Sequence, residues 1–171
     1  MESFDDQLVF KHFGNERGFA HVLTSVLRLY TLLPEFDVTH AGLYAYFRSW
    51  RNSTDPERIN LVWHSKQYMY AQSGLGRSAF DARLKVLIKY GLITPIKSEL
   101  VPNKDIYYVH DPLTRDNFIN QYREQVKEFF IKVEEIESIT AADRERRKVV
   151  AEQKLTEEVL RLTVENQQRS S

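Results

Sequence analysis

Cysteine is absent from the 171-residue chain. No disulfide framework, thiol nucleophile or cysteine-ligated zinc can form, which removes several enzyme classes and fits a reducing compartment. An excess of charge of one sign is lacking too: 24 basic residues meet 24 acidic ones. Long hydrophobic runs are also missing. The most apolar stretch, 19–33, falls short of the ~20 residues a bilayer-spanning helix needs and is interrupted by His21 and Arg28. The chain starts Met-Glu-Ser-Phe-Asp-Asp, acidic where a secretory signal is basic. The expectation is a cytoplasmic protein with no membrane partner.

Catalytic signatures are equally scarce. His12, His21, His40, His64 and His110 are scattered, with no His-Glu-x-x-His and no acidic partner at ligand spacing, so no metal and no cofactor is expected. Gly74-Leu75-Gly76 lacks the Gly-Lys-Ser/Thr that completes a phosphate-binding loop, and no serine stands in a nucleophile elbow. Glu134-Glu135 and Glu157-Glu158 read as solubilising helix-surface carboxylates. These features predict a protein that is not an enzyme.

What is present suffices for a core. Hydrophobic residues make up 42% and aromatic ones 12% of the chain, enough for one domain of about 100–150 residues plus an appendage. Residues 1–36 carry 3 basic and 5 acidic groups, 37–112 carry 10 and 7, and 113–171 carry 11 and 12. The middle is therefore mildly basic, a weak electrostatic footprint for nucleic acid.

Periodicity and breakers divide the chain into 1–36, an N-terminal strand and helix extension; 37–112, a central domain; and 113–171, a helical arm. Leu8–Phe13 is a short apolar segment ended by Gly14, followed by one amphipathic helix carrying Phe19, Val22, Val26, Tyr30 and Leu33 up to Pro34. Thr39 caps a second helix through Trp50, and Ile59–Trp63 reads as a strand. Ser65 caps a short helix to Ser73, the glycines at 74 and 76 form a tight turn, and a helix from Arg77 to Tyr90 is released by Gly91. Leu92–Lys97 and Asp105–Val109 form a hairpin around Pro102-Asn103-Lys104. In the arm, Ile119, Tyr122, Val126, Phe129, Val133 and Ile136 make a heptad seam, partly coiled-coil-like. The stripe Leu155, Val159, Leu162 lies in another phase, which predicts a break or bend near Thr140 rather than one continuous coiled coil.

This order of elements is that of a winged helix-turn-helix in a mainly α (α+β) chain. With Phe80 at the centre of the buried face of the helix from Arg77, Leu84 and Leu87 fall within about 40° of it, while Ser78, Ala82, Lys85 and Lys89 fall opposite. That polar flank is short enough to enter a major groove about 12 Å wide.

Thr39-His40-Ala41-Gly42-Leu43-Tyr44-Ala45-Tyr46-Phe47, Leu61-Val62-Trp63, the glycine turn, and Leu84, Leu87 and Gly91-Leu92-Ile93 resemble the N-terminal winged-helix domains of Gram-positive plasmid and phage replication initiators and of DnaD-type primosome proteins. The likeness spans about 37–110. Two positions depart from it: Tyr70 stands where a small alanine lets the helices approach, and Gly76 where serine or threonine caps the recognition helix. The tyrosine implies a helix pair splayed, or shifted by one residue toward Ala71.

The resemblance implies a sequence-specific binder of double-stranded DNA acting in replication initiation. Phosphate anchoring falls to Lys66, Arg77 and Lys104, base reading to Ser78, Ala82 and Lys85, with Lys89 and Arg83 peripheral. A monomer making few phosphate contacts would bind weakly, so a homodimer is expected, through Phe19–Leu33 or the Ile119–Ile136 seam. The arm could also take a protein partner. The basic cluster Arg144, Arg146, Arg147 and Lys148 alternates with Asp143 and Glu145 and reads as a solvated face. Two alternatives stay open: a winged-helix transcription regulator, and a protein-binding adaptor without DNA affinity.

Overall fold

The computed structural model describes residues 5–13 and 22–169, with side-chain surroundings through residue 165. The chain divides into two compact units, one through Tyr122 and one from Arg123. The first holds helices α1 (Asp6–Phe13), α2 (Thr24–Arg28), a 3-10 turn (Tyr30–Leu32), α3 (Val38–Trp50), strand β1 (Leu61–Val62), α4 (Lys66–Ser73), α5 (Arg77–Lys89), β2 (Ile93–Lys97), β3 (Asp105–Val109) and α6 (Arg115–Gln121). The second is one helix, α7 (Arg123–Arg169).

The fold is mostly helical with a small antiparallel sheet in the order β1-β3-β2, a winged-helix-like arrangement. In the hairpin Ile93 pairs with Val109 and Lys97 with Asp105, while Leu61 of β1 pairs with Tyr108. Leu43, Tyr44 and Phe47 of α3 are buried, as are Met69 of α4, Phe80, Leu84 and Leu87 of α5 and Tyr107 and Val109 of β3. Phe47 is central to this core, with its ring 5.9 Å from Phe80 and 5.4 Å from Tyr107.

A polar latch fixes the end of the hairpin on α3. Arg48 Nη1 donates to Asp111 Oδ1 at 2.6 Å and to the Tyr44 hydroxyl at 2.9 Å, and that hydroxyl donates to the His110 carbonyl at 2.6 Å. Hydrogen bonding to Arg48 and the guanidinium charges of Arg48 and Arg51, against opposition from burial, hold the Asp111 carboxyl below its ordinary range.

Several expectations require correction. Leu8–Phe13 is helical, as α1, and not a strand. Of the expected helix from Phe19, residues 19–21 lie outside the described residues. The remainder is interrupted at Leu29, whose φ of −107° departs from helical geometry between α2 and the 3-10 turn. The cap of α3 is Asp37 and not Thr39: its carboxylate accepts from the Thr39 and His40 amides, while the Asp37 amide donates to His40 Nδ1. The strand expected over 59–63 contracts to 61–62. The first unit reaches past 112, because Phe118 of α6 is buried against Tyr30, ring centroids 5.1 Å apart.

The arm is interrupted in a different place from the one expected. Tyr122, at φ −117° and ψ 41°, separates α6 from α7, so Ile119 and Tyr122 do not share a helix with Val126–Ile136. Near Thr140 the helix continues. Its hydroxyl donates to the Ile136 carbonyl at 2.8 Å, which satisfies a polar side chain inside a helix without breaking it.

Candidate nucleic-acid interface

The site begins with the two turns that aim α5. Ser65 caps α4 by accepting from the Tyr68 amide, and Gly74 closes α4 in the left-handed region at φ +71°, where a side chain would be strained. Gly76, at φ −61°, is the N-cap of α5 and supplies no side-chain acceptor, so the amides of the first turn of α5 have no capping partner. Gly91, at φ +71°, then turns the chain from α5 into β2.

The two faces of α5 separate as the periodicity predicts. Phe80, Leu84 and Leu87 are buried, while Ser78, Ala82, Lys85 and Lys89 are exposed. Among the described residues no carboxylate comes within ion-pair distance of Lys85. Lys89 differs: its ammonium donates to Glu35 Oε2 at 2.7 Å and lies 5.2 Å from the Tyr90 ring centroid, so it is tied to the segment before α3. Arg83 is likewise occupied, by the Thr39 hydroxyl and the Ala79 carbonyl.

The flank of α5 is organised by Asp81, which the sequence reading passed over. Its carboxylate accepts from Lys66 Nζ at 3.1 Å and from the Tyr70 hydroxyl at 2.9 Å, and Arg77 Nε lies 3.9 Å away. Burial works against the charge, but hydrogen bonds from Tyr70 and Lys66 and the charges of Lys66 and Arg77 hold the Asp81 carboxyl below its usual value. The four-residue spacing from Arg77 to Asp81 was the available signal. Tyr70 meets α5 with its ring edge-on to Phe80, centroids 5.2 Å apart, and Ala71 is exposed, so no shift toward Ala71 occurs. Arg77 is 83% exposed at the start of the helix.

A cleft of about 360 Å³ lies between the first turn of α4 and the hairpin tip. Lys66 and Gln67 line it from the helix side and Asn103, Lys104 and Asp105 from the hairpin side, and Tyr107 also lines it. Lys97 Nζ binds Asp105 Oδ1 at 2.6 Å, which balances that carboxylate. Tyr107 is 1% exposed, and its hydroxyl has no hydrogen-bond partner among the described residues. Burial first, with the nearby Asp105 carboxylate adding to it, pushes that phenol well above its ordinary range. Nothing in the local pattern of β3 marked Tyr107 as more than core.

Lys66 and Lys104 therefore share one cleft, Arg77 stands at the uncapped start of α5, and Ser78, Ala82 and Lys85 share its open face. The arrangement offers amides and cations to an anion and a short polar ridge to a groove. Among the described residues no three metal-ligating side chains converge, and no helix is long and apolar enough to cross a membrane.

No family model matches the chain, and no curated protein matches it. It overlaps the solved structure of a Rep–DNA complex with a TM-score of 0.42 and 16% sequence identity, over 74% of this chain and 97% of that one.

Proposed function

We propose that the first unit is a winged-helix module that binds double-stranded DNA, with α5 as the recognition helix. The observation that carries this reading is the open polar face of α5: Ser78, Ala82 and Lys85 are exposed on the side opposite the buried Phe80, Leu84 and Leu87. Small residues at 78 and 82 let the helix approach base edges, where the alanine methyl can touch thymine and Lys85 can reach guanine O6 or N7. Arg77 and the uncapped amides of α5 anchor one phosphate, because a helix N-terminus with free N–H groups favours an anion. Lys104, which meets no carboxylate within ion-pair distance among the described residues, holds a second phosphate at the cleft, with Lys66, shared with Asp81, beside it. Lys89 contributes little, being neutralised by Glu35.

The resemblance of residues 37–110 to replication initiators and primosome proteins makes initiation of replication the process we infer. In that setting the chain acts as a non-enzymatic, sequence-specific binder inside the cell.

Fluorescence anisotropy with duplex DNA across a salt series tests the reading. Two phosphates held per module predict a slope of log K against log salt of about −2, at ~0.9 per phosphate neutralised. A flat response would identify a protein-binding adaptor instead.

A further inference from the structure

The continuous course of α7 joins two stripes that a break at Thr140 would have separated. Along one helix the positions Phe129, Val133, Ile136, Thr140, Arg144, Arg147, Ala151, Leu155, Val159 and Leu162 follow one another at steps of three or four. The extra four-residue steps absorb the change of phase without leaving the face. Its apolar members stand in solvent: Ile136 is 62% exposed, Leu155 66% and Leu162 47%.

The spacing of this seam is its own mirror image about the point between Glu145 and Arg146. Phe129 and Leu162 lie equally far from that point, as do Ile136 and Leu155, Thr140 and Ala151, and Arg144 and Arg147, while Val133 and Val159 match to within one residue. A pair of parallel helices does not require such symmetry, since each residue meets its own copy. An antiparallel pair of identical helices does, because residue i must meet j where j meets i. Charge agrees with this direction. Laid antiparallel, Asp143 faces Lys148 and Glu145 faces Arg146, leaving Arg144 opposite Arg147 with an acid beside it. Laid parallel, Asp143 would meet Asp143, and Arg144 and Arg147 would each meet themselves on the seam.

We propose that α7 pairs with α7 of a second copy of this chain, antiparallel, with the two-fold axis passing between Glu145 and Arg146. The apolar stripe 129–136 of one copy then covers 155–162 of the other, and the charged centre fixes the register. This inference rests on the second unit alone and holds whether or not the first unit binds DNA.

Because the protein has no native cysteine, one spin label can be placed in the full chain through Lys127→Cys, at an exposed position off the seam. Sedimentation should give the mass of two chains. Pulsed electron paramagnetic resonance should give a separation of about 56 Å, since the two labels are ~37 residues apart along the paired axes at ~1.5 Å each. Ile136→Lys should dissociate the pair, and adding Leu155→Glu should restore it, because those positions face each other only when the helices run oppositely. A single-chain mass for the wild type, a separation below about 30 Å, or a double variant that stays dissociated would each overturn the proposal.

Discussion

Tyr107 is the residue whose role the geometry changes most. A buried hydroxyl without a partner costs roughly 1–3 kcal/mol, so removing the hydroxyl while keeping the ring should relieve that cost. Tyr107→Phe should therefore unfold at a higher urea midpoint than the parent. A variant no more stable than the parent would mean that the hydroxyl already has a partner in the folded protein. Asp81 makes a contrasting case at the same scale. A carboxylate beside the proposed recognition helix would repel phosphate if left unpaired, but it is engaged by Lys66, Tyr70 and Arg77 and positions those side chains.

At the scale of elements, α4, the glycine turn, α5 and the hairpin were legible in the sequence because the residues that fix them act locally. Ser65 caps, Gly74 and Gly91 supply positive φ, and the alternation of apolar and polar positions in α5 sets which face is buried. The misread segments depend on distant partners or on satisfaction that local pattern does not display. Tyr122 ends α6 where rings of Phe118 and Tyr90 gather around it, at 4.9 and 6.3 Å. Thr140 stays helical because its hydroxyl finds the carbonyl one turn back.

The latch that holds the hairpin on α3 is of the long-range kind, and it makes an acid-sensitive prediction. Asp111→Ala leaves the Arg48 side chain, 4% exposed, with a lost partner, and should cost about 2 kcal/mol at pH 7, less than a fully buried pair because Asp111 is 68% exposed. The carboxyl is depressed in the folded state, so its contribution is present above the unfolded value near ~4 and fades as pH falls through the lower folded value. Urea midpoints of parent and variant should converge on acidification from pH 7 to about pH 2. A gap independent of pH would show that the Asp111 charge does not act through this latch.

For the whole molecule, an equal count of acids and bases concealed an uneven use of them. Glu35 neutralises Lys89, and Asp81 engages Lys66, whereas Lys85 and Lys104 meet no carboxylate within ion-pair range among the described residues. This division, invisible in a regional charge surplus of three, is what concentrates free positive charge on α5 and at the hairpin tip. The candidate site was legible as a set of positions along α5, and much less so as a surface, since the cleft joining Lys66 to Lys104 depends on how α4 meets the hairpin. The most direct test is site-specific photo-crosslinking from a single introduced cysteine. With the reagent carried by Ala82→Cys, duplex DNA should crosslink efficiently, and with the reagent at Glu57→Cys, exposed in the segment between α3 and β1, it should not. Duplex captured equally from both positions, or from neither, would contradict the placement of α5 against DNA.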